Sequence, residues 1–329
     1  MPRVSVVTPF FNGVAYLREC IESVLRQSYG DFEYLLIDNH STDGASQIAQ
    51  EFAQRDPRIR VLSPPTFLPQ VDNYNFAISQ VALSAAYFKI VAADDWLFPT
   101  CLADMVALAD ANPRVGIVSA YRMREEKVEG QGLHPSRSVL SGREACRMCL
   151  VDGSFPFGSA TTLLFRRDLI DERSPFYETG RLHEDTEAVF EILRTRDFGF
   201  VHQVLSFSRQ QLDSVTGSRR AFGPEALDRL IFVTKYGPEY LDAAEFRACL
   251  RHATKWHYSI MAQAWLEERF HPIAKGFWDY QRRGLDSVGK RIEPQLLAAA
   301  VAKRLARSAL SPVDSTLELF GALRSKGST

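Results

Sequence analysis

An α/β fold on a doubly wound, mostly parallel sheet with helices on both faces is what this sequence predicts, and three observations carry that prediction. Strand-like and helix-like segments alternate through the first part of the chain. Polar clusters fall at the ends of the strand-like segments. The alternation then gives way to helical periodicity near residue 222. Regular alternation of this kind argues for parallel strands joined by helical crossovers. In such sheets ligands collect at the carboxyl ends of the strands.

The elements follow in order. "RVSVVTPF" reads as a strand, and Leu17, Cys20, Ile21, Val24 and Leu25 then mark one face of a helix. "FEYLLID" is a second strand, after which Ser41 can cap a helix over Ala45, Ile48, Ala49 and Phe52. "IRVLS" precedes a helix in "PQVDNYNFAISQVA". "AYFKIVAADD" precedes one over Leu102, Met105, Val106 and Ala109, and "VGIVSA" closes the series. In "SGREACRMCL", Ser141 and Glu144 have capping-box spacing, so a helix follows. "SATTLLFRR" and "FGFVHQVLSFS" are later strands with a helix over Thr186 to Leu193 between them. From Pro224 onward a long apolar stripe runs through Phe246, Cys249, Leu250, Ala253, His257, Ile260, Met261 and Ala264. The expected division is 1–222 for the sheet domain and 223–329 for a helical C-terminal region.

Composition narrows the function classes. With 329 residues and 46% hydrophobic content, a sizeable core is available, and a net charge of -1 gives no case for nucleic acid as main partner. No apolar run reaches the roughly 18 residues of a membrane span, and the N-terminus lacks a signal-peptide pattern, so a cytoplasmic protein is expected. Five scattered cysteines do not suggest a disulfide framework, and the lone "CRMC" has no second pair to complete a zinc site.

Four polar clusters can carry chemistry. "TPFFN" brings Pro9 and Phe11 to a strand end, where an aromatic ring can lie against a flat base. Asp38 can accept a base N–H or close an Asx turn. Asp94 and Asp95 end a buried strand, and their side chains leave in different directions, so one can reach a divalent metal and the other a ribose hydroxyl. Glu184 and Asp185 start a helix, where acidity is ordinary, yet either could remove a proton from a hydroxyl. No glycine-rich phosphate loop follows the first strand. That argues against a dinucleotide site and a sugar nucleotidyltransferase alike.

Together "VSVVTPFFN", "SVLRQS", "IDNHSTD", "ADDW" and "HED" resemble, in order, the motifs of the family 2 glycosyltransferases, over about Val4 to Thr216. The resemblance implies a GT-A fold, a nucleotide-sugar donor (UDP-linked foremost), and inverting transfer of one sugar to a glycan or glycolipid hydroxyl. It implies that Pro9 and Phe11 frame the base, Asp38 binds it and Asp94 contacts the ribose or donor. Asp95 would hold Mn²⁺ or Mg²⁺, and Asp185 would act as general base with Glu184 beside it. Trp96 and His183 are open between acceptor contact and packing or capping. Four departures stand out: His40 replaces a common glycine, Tyr74 a common arginine and Gln211 a histidine, and no Q-x-x-R-W motif of processive polymerases occurs. The loop "EEKVEGQGLHPSRS" within residues 120–160 could cover the acceptor. Lys303, Arg304 and Arg307 beside apolar residues leave the tail open between membrane-surface binding at the inner face, a dimer contact and packing. The alternative to an enzyme is a catalytically silent relative serving as a partner subunit.

Overall fold

The computed structural model describes residues 1–179, 183–209, 222–268 and 276–310, the last four without their side chains. The chain divides into two units, Met1–Leu212 and Asp213–Thr329.

In the first unit the strands are β1 (Val4–Phe10), β2 (Phe32–Asp38), β3 (Ile59–Leu62), β4 (Tyr87–Ile90), β5 (Trp96–Leu97), β6 (Val115–Arg124), β7 (Lys127–Glu129), β8 (Val139–Leu140), β9 (Leu164–Arg166) and β10 (Asp197–Ser208). Helices α1 (Leu17–Leu25), α2 (Ala45–Arg55), α3 (Gln70–Ser79) and α4 (Cys101–Ala111) alternate with the early strands; α5 (Gly142–Asp152), α6 (Leu169–Glu172) and α7 (Glu184–Ile192) come later. The sheet runs β3-β2-β1-β4-β9-β6-β10-β5. β1 is parallel to β2 and β4, β2 to β3, and β6 to β10. β9 lies antiparallel between β4 and β6, which therefore point the same way. All six parallel strands thus open their carboxyl ends on one edge. The full burial of β1 and the near-full burial of β2 are what helices on both faces require.

Two local expectations are corrected. Ser41 does not cap α2: Gly44 occupies the N-cap position, and the adjacent Asp43 Oδ1 accepts from Ala45 N at 2.9 Å. The "ATT" of "SATTLLFRR" is a 3₁₀ turn (Ala160–Thr162), not strand. Ser141 does cap α5, accepting from Glu144 N at 3.3 Å, and Cys146 and Cys149 are buried thiols.

The second unit is helical among its described residues: α8 (Pro224–Tyr240), α9 (Ala243–Glu267), α10 (Phe277–Asp286) and α11 (Pro294–Leu310). Asp242 starts α9 with a complete capping box, accepting from Ala244 N and Glu245 N at 2.8 Å. A Cβ on Gly237 would come 2.6 Å from the Phe246 ring, so only glycine lets α8 and α9 approach this closely. No helix among the described residues is long and apolar enough to cross a membrane.

Candidate active site

Loops after β1, β2 and β3 are laced together at the carboxyl edge. Asn12 Oδ1 accepts from Thr42 N at 2.8 Å, Asn12 N donates to Ser41 Oγ at 3.0 Å, and Val14 N donates to Asp43 Oδ2 at 2.8 Å. The buried Asn39 amide binds both backbone groups of Leu68, at 2.8 and 2.9 Å, and so pins the third loop. This lacing holds Phe11 and Phe67 in water, 49% and 56% exposed, with their rings edge to face at 5.0 Å. Two exposed phenyl rings cost hydration free energy unless a flat ligand covers them. Phe67 was missed in the sequence; its signal is an aromatic alone among turn-forming residues in "SPPTFLP". Pro9 is buried in β1 beside this pair. Asp38, opposite Phe10 in register and 6% exposed, accepts from Ser41 N at 2.9 Å through Oδ1. The carboxylate thus ties down the backbone three residues on rather than closing an Asx turn, and Oδ2 takes no hydrogen bond from a described residue. His40 has φ +64°, a left-handed conformation that strains a side chain by about 1–2 kcal/mol, offset by its Nε2 contact with Pro64 O at 3.0 Å.

Beyond β4 the two aspartates have unequal surroundings. Asp95 is 6% exposed; its Oδ2 accepts from Thr161 Oγ1 at 2.6 Å and Ser208 Oγ at 3.1 Å, and its Oδ1 accepts from Arg209 N at 3.2 Å. Burial, with Asp94 beside it, pushes its carboxyl up to about 6 against the opposing pull of the two hydroxyls and the Arg209 N–H. Asp94 is partly exposed and also raised by burial, with its own backbone N–H and the Arg209 guanidinium opposing. Behind them Lys89 is fully buried in β4, its Nζ donating to Thr161 O at 2.7 Å and Leu163 O at 3.2 Å. Lys89 thus fixes the turn whose Thr161 orients Asp95. Pattern reading absorbed Lys89 into a strand and gave it no role, and Thr161 and Ser208 carry no motif.

Arg209 Nε donates to Asp94 O at 3.1 Å, and its guanidinium pairs with Glu19 while lying 5.0 Å above the Trp96 ring. Trp96 stacks on Phe207 at 3.8 Å and 5°. Phe207 covers one face of that half-buried indole and the Arg209 guanidinium lies near its ring.

The acidic helix start lies within electrostatic reach. Asp185 and Glu184 begin α7, and Asp185 Oδ1 accepts from Thr186 N at 2.7 Å. Tyr74, where an arginine was expected, has its phenol pushed up by burial and then by Asp94, Asp95, Asp185 and Glu184. Tyr74 therefore lies within electrostatic reach of carboxylates from two segments distant in sequence. Tyr177 is pushed up by burial and then by Asp185, and Asn75 holds it through bonds to its backbone at 2.7 and 2.8 Å. His183 occupies the N-cap position of α7, yet its side chain does not cap the helix. Gln211, Ser214 and Thr216 lie outside the described residues.

The donor set suits a hard divalent cation. Asp95 is oriented through Oδ2 by two hydroxyls, as ligating carboxylates are, and Oδ1 carries a single long N–H bond. No group of three His, Cys, Asp or Glu residues stands ready among the described residues, so water and phosphate oxygens would complete the shell.

A family model described as Glycosyl transferase family 2 matches residues 5–174. The chain is 37% identical over 92 residues to glycosyltransferase GlyG of Streptococcus pneumoniae, covering 28% of this chain and 30% of that protein. It is 28% identical over 204 residues to the uncharacterized glycosyltransferase YibD of Escherichia coli, covering 59% of this chain and 58% of that one. The chain spans less than a third of the first curated relatives it matches. In fold it is similar to TarS 1-349 of S. aureus, with TM-score 0.59, 16% identity, and coverage of 92% of this chain and 83% of the other; that protein has also been solved with UDP-GlcNAc. A mannosyltransferase of Pyrobaculum calidifontis, solved with GDP-Man and Mn2+, gives a TM-score of 0.56 at 17% identity, covering 95% and 82%. These proteins share the GT-A architecture, and a family match over half the chain settles membership: this chain belongs to glycosyl transferase family 2.

Proposed function

We propose that the protein transfers a single sugar from a nucleoside diphosphate sugar, UDP-linked foremost, to a hydroxyl of a glycan or glycolipid, with inversion. The observation that carries this reading is the buried Asp95 carboxylate, oriented by the Thr161 and Ser208 hydroxyls, on the strand-end edge that also holds Phe11, Phe67 and Asp38. The UDP-GlcNAc and GDP-Man complexes of proteins with the same fold support a nucleotide-sugar donor.

In this reading the base lies against the exposed aromatic surface of Phe11 and Phe67, and Asp38 Oδ2 accepts its N–H. Asp94 takes a ribose hydroxyl. Asp95 would hold Mn²⁺ or Mg²⁺, which when bound supplies charge neutralisation for the departing diphosphate. Asp185, with Oδ1 tied to Thr186, uses Oδ2 to take the acceptor hydroxyl's proton. The acceptor oxygen bonds the anomeric carbon as the bond to the diphosphate oxygen breaks, and the diphosphate leaves with the electron pair. Glu184 and His183 flank the base. Trp96 serves as the platform for Arg209 rather than for the acceptor. Leu296 and Leu305 are exposed on α11 close to Lys303 and Arg304, a pairing that suits peripheral contact with a membrane carrying a lipid-linked acceptor.

The test is thermal stabilisation by UDP, dTDP, GDP and CMP, with and without Mn²⁺, on the wild type and Asp95→Ala. A ligand at about a hundred times its Kd adds roughly 2.7 kcal/mol, a readable melting shift. A Mn²⁺-dependent shift with one diphosphate, lost in Asp95→Ala, is expected. No shift with any nucleotide would overturn the donor assignment and favour a silent partner subunit.

A further inference from the structure

The first unit carries a second concavity that the donor reading does not use. It encloses about 330 Å³, near the lower end of the range for small-molecule sites and the scale of a sugar ring with its hydroxyls. Ala120 and Arg122 form its floor from one face of β6, Glu129 and Gly130 one wall, and Phe155 and Gly158 the other.

Its place in the sheet is informative. The nucleotide loops follow β1, β2 and β3, the two aspartates follow β4, and β6 lies on the other side of β4 with its carboxyl end on the same edge. The cleft and the nucleotide loops therefore flank the aspartates from opposite sides. Two links tie the cleft to Asp95. Arg124, two residues beyond the floor residue Arg122, is in register with Ser208, which donates to Asp95. Gly158 leads into the turn whose Thr161 donates to Asp95, and Phe157 O accepts from Thr162 Oγ1 at 2.8 Å. At φ +69°, Gly158 permits that turn; a Cβ there would stand 2.3 Å from Thr162 Oγ1. The helix carrying Asp185 is braced on the same loop, with Phe190 5.9 Å from Phe157.

The lining chemistry matches a pyranose. Arg122 is 9% exposed, and its guanidinium is held by Glu129 through bonds of 2.6 and 2.8 Å. This fixed pair offers N–H donors beside carboxylate acceptors, the combination that neighbouring hydroxyls need because each both donates and accepts. Phe155 is 37% exposed, with Phe157 set edge to face at 5.5 Å behind it. Its ring is available to the apolar C–H face of a sugar.

We infer that this cleft is the subsite that seats the acceptor's sugar ring, a neutral hexopyranose, with Phe155 under the ring and Arg122–Glu129 on its hydroxyls; the assignment rests on the transferase reading above. The probes are the methyl glycosides of glucose, galactose, N-acetylglucosamine and rhamnose. Each is presented to UDP- and Mn²⁺-saturated protein and read by saturation-transfer NMR. At least one glycoside is expected to bind the wild type and Phe155→Trp. Binding should weaken about tenfold in Phe155→Ala, the loss of one aromatic contact. Glu129→Gln should weaken it similarly, and the UDP–Mn²⁺ melting shift should stay unchanged in all three variants. Glycoside binding that survives Phe155→Ala overturns the inference, as does a wild type that binds UDP–Mn²⁺ but none of the four glycosides. A wild type that fails to bind UDP–Mn²⁺ overturns the transferase reading itself, which the melting shift reports separately.

Discussion

The two units bury ionisable groups in opposite ways. In the sheet unit Lys89, Asp95 and Arg122 are each less than a tenth exposed, and each is answered by hydrogen bonds or an ion pair. In the helical unit His257 is 1% exposed, its Nε2 has no partner among the described residues, and burial alone pulls the imidazole down to about 4. One unit is organised to keep charge inside, the other to exclude it. An unanswered buried charge costs several kcal/mol, so keeping charge makes sense where a ligand uses it.

The largest expected effect tests whether the sheet unit's charge is functional. Asp185→Asn keeps the Thr186 contact but removes the proposed base, so transfer should fall by about 10²–10⁴-fold while UDP–Mn²⁺ binding persists. Full turnover, measured with any accepted acceptor, would place the base elsewhere. Lys89→Met comes next. It leaves the carbonyls of Thr161 and Leu163 without their donor in a dry interior, at about 1–3 kcal/mol for each unsatisfied group. Denaturant unfolding should show that loss, and the Mn²⁺ dependence of the UDP shift should weaken as Thr161 loosens. An unchanged stability would show that the buried charge carries no structural role and would break the contrast between the units.

Asp95→Asn is predicted to act in the opposite direction on stability. The folded carboxyl holds its proton to about 6, against an ordinary 3.8. Between those values the folded state binds more protons than the unfolded one, so the group's contribution falls as pH rises and stays low above pH 6. The amide avoids that cost and still offers one oxygen to Thr161 and Ser208, giving up only the long 3.2 Å bond from Arg209 N. The variant should therefore be more stable than the wild type at pH 8, by about 1–3 kcal/mol, with the difference shrinking toward pH 4. Its Mn²⁺-dependent nucleotide binding should be lost. Equal stability at pH 8 would mean that the hydroxyls of Thr161 and Ser208 already offset the desolvation.

What the sequence revealed follows the same division. Alternating apolar runs report burial directly, so β1, β2, α1 and the helical tail were legible, and so were Asp38, Asp94, Asp95, Asp185 and Glu184 as polar residues at element ends. Residues that act by answering another group were not. Lys89 sits inside an apolar strand, Thr161 in a stretch that reads as strand, and Ser208 more than a hundred residues from the Asp95 it supports. Only the tertiary pairing of β4, β6, β9 and β10 brings them together. Phe67 and Phe155 look like ordinary loop aromatics until their exposure is known. Nothing local to Trp96 shows that Phe207, more than a hundred residues away, stacks on it.

The smallest predicted effect lies in the helical unit and probes the other half of the contrast. His257 is held neutral near pH 7, because desolvation disfavours the imidazolium and no acceptor among the described residues compensates it at Nε2. Its ordinary value is 6.5 and its folded value about 4, so between them the unfolded chain binds more protons. Stability is therefore expected to fall as pH drops from 6.5 toward 4 and to gain nothing from this group above that window. Allowing for partial relaxation around the ring, about 2 kcal/mol is at stake. His257→Leu removes the titration and keeps an apolar side chain beside Tyr258. Urea unfolding of the two proteins at pH 4.5 and pH 7.5 gives the test, the pH values chosen on the order of the two limits above. The wild type should lose stability relative to the variant at the lower pH. A constant difference across pH would mean that the imidazolium finds an acceptor as it forms, and that the helical unit answers buried charge after all, as the sheet unit does.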